Sequence, residues 1–123
     1  MTHRLALAAS AARTLPDLID AIRAAASPDE TARRLALVAA TTRAIEDDVR
    51  AAALAALAMD GGDIECAGAW LALMTLLRRV DALRHRIADV VDLSRIDDEA
   101  ARDTLRGARE MARELALGAG MEV

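Results

Sequence analysis

From Leu35 onward, apolar or small residues return at Leu35, Val38, Thr42, Ile45, Val49, Ala52, Ala56 and Met59, alternating steps of three and four. That alternation is the seam of a coiled-coil-like helix, because positions about 3.5 residues apart stay on one face. A second series, Cys66, Ala69, Leu73, Leu76, Val80, Leu83, Ile87 and Val90, repeats it. Between the two lies MDGGDIECAGAW, residues 59 to 70. Gly61 or Gly62 supplies the left-handed residue that ends one helix, Asp63 caps the next, and Glu65 falls in its favourable first turn. The pattern predicts helices over 28–59 and 63–91 folded antiparallel by a short corner, each arm about 45 Å long at 1.5 Å per residue.

The start of the first arm is signalled by SPDE: Ser27 caps, Pro28 takes the first helical position, and Glu30 closes a capping box. Asp29 with Arg33, Glu30 with Arg34 and Glu46 with Arg50 are acid-before-base pairs that support the same helix. Thr14 before Leu15, Pro16 and Asp17 reads as a further cap and predicts a helix over about 14–26. Residues 3–13 read either as a separate turn or as the far side of a Pro-kinked helix. Asp92 or Ser94 caps a last helix over about 95–117, which Gly-Ala-Gly at 118–120 terminates. Strand signals are missing. The expected fold is all-α: a single helical domain over 1–123, resembling a four-helix bundle and built on a long antiparallel hairpin with shorter flanking helices.

Trp70, Met74 and Leu77 form a second apolar stripe, about 60° from the seam of their own helix when counted at 100° per residue. The flanking helices look too short to cover so long a hairpin on all sides. The segments around Leu15, Leu18, Ile19 and Ile22 and around Leu105, Ala108, Ala112 and Leu115 cover part of it. A second copy of the chain is expected to cover the rest, giving a homodimer with Trp70, Met74 and Leu77 at the interface. The alternative is that the N-terminal helix folds over the stripe within one chain.

Composition narrows the function. Apolar residues make up 54% and charged residues 29% of 123 positions, too apolar for a disordered chain. Phe, Tyr, Lys, Asn and Gln are absent, so the core must be built from Ala, Leu, Val, Ile and Met. A net charge of −4 and no aromatic besides Trp70 argue against nucleic acid as the main partner, since phosphate neutralisation and base stacking both lack their residues. The longest nearly uncharged run, Cys66 to Leu77, falls far short of the ~20 residues of a membrane span. MTHRLALAASAA only faintly imitates a signal peptide and is expected to be structural. A lone cysteine forms no internal disulfide, which fits the cytoplasm.

Specific chemistries then fall away. Cys66, near the start of its helix, is placed to be a nucleophile with a lowered pKa, but its position in the seam makes it a small core residue. His3, Cys66 and His85 lie far apart and make no metal-ligand spacing, so no metal or cofactor is expected. Asp60, Asp63 and Glu65 suit turn and capping roles rather than a calcium loop. Asp47 and Asp48 point about 100° apart on a helix and read as solvated face. No Gly-rich phosphate loop is present.

One segment, RRVDALRH, holds Arg79, five residues and then His85. It resembles the Arg-x(4–6)-His signature of HEPN-domain ribonucleases, small all-helical proteins that dimerise to form the cleavage site. The resemblance implies RNA cleavage by Arg79 and His85. It covers these eight residues, and Val80 replaces the polar residue usual after the arginine. The leading expectation is a non-enzymatic helical interaction or regulatory module, an inhibitor, adaptor or assembly subunit, that binds itself or another protein through helix-in-groove contacts. The ribonuclease is one alternative. A small-molecule binder with an inter-helix pocket near Trp70 is the other.

Overall fold

The computed structural model describes residues 2–58, 64–93 and 98–122. Four helices make up those residues: α1 Thr2–Arg23, α2 Pro28–Ala58, α3 Ile64–Leu93 and α4 Asp98–Glu122. Among the described residues, helix α1 lies beside α2, α2 beside α3, α3 beside α4 and α4 beside α1, around one shared core. Cross-helix contacts run Arg4 to Asp48 and Arg34 to Ala21, then Arg86 to Thr104, so consecutive helices are antiparallel. The result is an all-α, up-down-up-down four-helix bundle.

The core follows the three-four alternation in every helix. The seams of α2 and α3 are buried as read, from Leu35 to Ala56 and from Leu73 to Val90. Helix α1 contributes Leu5, Ala8, Ala12, Leu15, Ile19 and Ile22, and α4 contributes Leu105, Ala108, Ala112, Leu115 and Ala119. Thr42, the only buried polar side chain among the described residues, turns its hydroxyl onto the Ala39 carbonyl at 2.8 Å, so its burial leaves no unmet hydrogen bond.

The corner between α1 and α2 is tied at both ends. The Glu30 N–H donates to the Ser27 hydroxyl at 3.1 Å, the first half of the capping box. The Glu30 carboxylate accepts from the Ala26 N–H at 3.0 Å, one residue earlier than the usual return bond. Arg34 joins that carboxylate to the Ala21 carbonyl, one of the last four carbonyls of α1, which a helix end leaves without a helical donor. A single arginine thus links the N-terminal turn of α2 to the C-terminal turn of α1.

Four expectations are corrected. Helix α1 starts at Thr2 and ends at Arg23, so it runs unbroken through Pro16 instead of occupying 14–26. Thr14 is no cap: its hydroxyl donates to the Ala11 carbonyl at 2.7 Å from inside the helix. Helix α4 continues through 118–120 to Glu122, because its glycines have no positive φ and therefore do not end the helix. The core argument for a second copy also falls, since one chain completes a four-helix core. The flanking helices remain the shorter ones, at 22 and 25 residues against 31 and 30. Asp92 lies inside α3 and so does not cap the last helix; the Gly61-Gly62 corner, with Asp60 and Asp63, and the alternative cap at Ser94 lie outside the described residues, as do the side chains of Glu65 and Cys66.

Candidate functional site

On α3, Trp70, Leu77, Arg84 and Val91 recur every seven residues, which places them on one stripe of the helix. Glu46 of α2 fixes the direction of that stripe. Its carboxylate, on a side chain only 13% exposed, accepts from Arg50 at 2.7 Å on its own helix and from Arg84 across on α3. The Trp70 stripe therefore faces α2. Trp70, Met74 and Leu77 are half-buried, and Trp70 and Leu77 pack against the core. The N-terminal helix does not lie alongside them: among the described residues α1 runs beside α2 and α4.

Beyond the Glu46–Arg84 bridge, the same face opens into a groove of about 990 Å³ between α2 and α3. Ala32, Ala36, Ala39 and Ala40 form its α2 wall, and Ala88 and Val91 its α3 wall. Leu35 and Ile87 form its floor, both nearly sealed from solvent. Arg43 and Arg84 are the charged groups that line it; no carboxylate does. The α2–α3 face thus has two apolar stretches separated by an ionic bridge: the alanine groove on one side and the Trp70 stripe on the other. Trp70 is not among the residues lining the groove.

No family model, curated protein or solved structure matches the chain.

Arg79 and His85 are drawn to different neighbours. The Arg79 guanidinium lies over Gly118 of α4, so close that a Cβ there would collide with it. His85 is 74% exposed, and its Nδ1 lies 2.8 Å from the Asp81 carbonyl and 3.6 Å from the Asp81 carboxylate. No bond joins the two residues within the chain, and on an unbroken helix they project about 120° apart. A ribonuclease site would need them to meet between subunits. Among the described residues no three His, Cys, Asp or Glu side chains gather as a metal site, and no helix is long and apolar enough to cross a membrane.

The alanine groove escaped the sequence reading although its signal was present. Ala32, Ala36 and Ala39 follow steps of four and three beside the seam of α2, a second small-residue stripe on the side that Glu46 shows to face α3. Alanine suits core and surface alike, so the stripe becomes informative only once α3 lies alongside it.

Proposed function

We propose that the protein is a cytoplasmic, non-enzymatic helical interaction module whose working surface is the α2–α3 face and whose first partner is a second copy of itself. The observation that carries this reading is the alanine-walled groove continuing the line of the half-buried Trp70, Met74 and Leu77. From Pro28 to Arg43 the groove runs about 22 Å, or four helical turns at 1.5 Å per residue, a length that suits a docked helix. Small walls let a helix backbone approach closely, so the groove can seat a helix along its length. Charge supports the choice of partner. Among the described residues Arg43 has no acidic partner, and Asp81, 64% exposed on the outer side of α3, offers a second copy's carboxylate to it.

Sedimentation velocity tests the reading. Wild-type protein is expected to sediment as a dimer at micromolar concentration. Ala39→Glu puts a charge into the groove at an exposed helix position, and Leu77→Asp puts one into the stripe; both are expected to shift the population toward monomer. Ala39→Glu is expected to do so while keeping the melting temperature that the wild type has when diluted to monomer. A wild-type protein that stays strictly monomeric at high concentration rejects self-association, and with it any two-subunit Arg79–His85 site.

A further inference from the structure

A second concavity lies at the opposite side of the bundle, between the last turn of α1 and the first turns of α4. It encloses about 850 Å³, within the ~300–1,000 Å³ of small-ligand sites. Its lining includes Arg23, Arg102, Arg106 and Arg109. Arg102, Arg106 and Arg109 share one face of α4 because they are four and three residues apart, and Arg23 comes from α1 across the cleft. We infer that this cleft binds a small polyphosphate anion.

The charge balance inside the cleft argues for an anion. Asp20 and Glu110 are the carboxylates that line it, and both are occupied. Asp20 accepts from Arg109 Nε at 2.8 and 2.9 Å, and Glu110 lies 3.8 Å from Arg109 and 3.5 Å from Arg113. Arg106 has only Asp103, at 3.3 Å, in a pair whose side chains are both more than 60% exposed and which screening weakens. Arg23 and Arg102 have no partner among the described residues. Several like charges in one concavity repel each other, and this positive concentration sits in a chain of net charge −4. A bound anion removes the repulsion.

The geometry of the groups selects the kind of anion. A guanidinium presents paired N–H groups that match two oxygens of one phosphate, so arginines spread around a cleft suit linked phosphates better than a single one. Asp20 acts as a positioning residue: it holds Arg109 by Nε, and with Nη1 lying 3.8 Å from Glu110 the Nη2 group is left for the ligand. No aromatic residue lines the cleft, so nothing there stacks on a nucleobase. Recognition ends at the phosphates, and a nucleotide and an inorganic polyphosphate are bound through the same chemistry.

Isothermal titration of the full chain at low salt with tripolyphosphate, ATP and orthophosphate tests this. Tripolyphosphate and ATP are expected to bind within about threefold of each other, and orthophosphate at least about tenfold more weakly. Arg102→Ala and Arg106→Ala, at exposed positions, are each expected to weaken tripolyphosphate binding about tenfold with an unchanged circular-dichroism melt. Arg43→Ala, on the α2–α3 face, is expected to leave it unchanged. Absence of heat at millimolar tripolyphosphate would overturn the inference. An equal loss from Arg43→Ala, which would mean diffuse attraction, or a strong preference for ATP would do the same. None of these outcomes depends on whether the chain self-associates.

Discussion

Asp20 and Arg109, 89 positions apart in the chain, join the first helix to the last: Nε of Arg109 donates to both Asp20 carboxylate oxygens, at 2.8 and 2.9 Å. The hydrogen bond first, and the Asp20 charge second, raise the Arg109 pKa above its ordinary value. This pair spans the α1–α4 contact, which brings together the two ends of the chain and is therefore the contact with the largest loop to close. Side-chain exposures of 33% and 41% leave the pair open to screening. Arg109→Ala is expected to lower the melting midpoint by about 2 °C. Asp20→Asn should act in the same direction, and the double variant should cost less than the two singles together. Melting in high salt should shrink all three effects. Full additivity would show that the pair contributes nothing as a pair.

The α1–α2 corner predicts a pH dependence. The Ala26 N–H holds the Glu30 carboxyl below its ordinary value of 4.5; burial opposes it, and the charges of Arg34 and Arg33 add to the lowering. A carboxyl depressed in the folded state contributes stability that is complete above 4.5 and is lost as pH falls through its lower folded value. Urea titrations of wild type and Glu30→Gln should differ most near neutral pH and converge on acidification below 4.5. A difference that stays constant to low pH would contradict the assignment. Ser27→Ala should cost about 1 kcal/mol at any pH, because a hydroxyl cap does not titrate.

The two continuous seams were legible because each position from Leu35 to Ala56 and from Leu73 to Val90 obeys one period and that period is what packing requires. The ends were misread where a local signal competed with packing. Thr14-Leu15-Pro16-Asp17 has the chemistry of a helix start, yet Leu5, Ala8 and Ala12 continue the step of Leu15 and Ile19. Burying that whole stripe on α2 and α4 outweighs one missing N–H at Pro16. Gly118 and Gly120 read as a stop for the same reason, whereas in the bundle Gly118 makes room for Leu76 and Arg79 of α3. The Trp70 stripe was recognised as unpartnered by its own seam, but only the Glu46–Arg84 bridge shows which neighbour it faces. The arginine cleft joins residues from opposite ends of the chain, so no local pattern announces it.

Gly107 makes the close approach of α3 and α4 testable. A Cβ at this position would collide with the Arg86 guanidinium, whose Nε lies 3.4 Å from the Thr104 carbonyl. The guanidinium is the far end of a flexible side chain and can move. Alanine is favoured over glycine inside a helix by about 1 kcal/mol. Gly107→Ala is therefore expected to change stability by less than that amount in the wild-type background and to stabilise by about 1 kcal/mol in an Arg86→Ala background. Chemical denaturation of the four species gives the coupling. Equal effects in both backgrounds would show that Arg86 does not occupy the space over Gly107.

Trp70 offers a reporter on the α2–α3 face that requires no label. The chain has no tyrosine or phenylalanine, so emission excited in the near ultraviolet comes from this one indole. Trp70 is half-buried, packed against the core on one side and open on the other, so a quencher such as acrylamide reaches it in the isolated subunit. A second copy docking on this face removes that access, whereas association through α1 or α4 leaves it unchanged. Quenching is expected to fall as protein concentration rises through the range in which sedimentation shows dimer formation, and to be independent of concentration in Ala39→Glu. The substitution lies away from the indole, beyond the Glu46–Arg84 bridge, so it alters docking rather than the local environment of Trp70. Dimer formation without any change in quenching would move the interface off the α2–α3 face while leaving self-association intact.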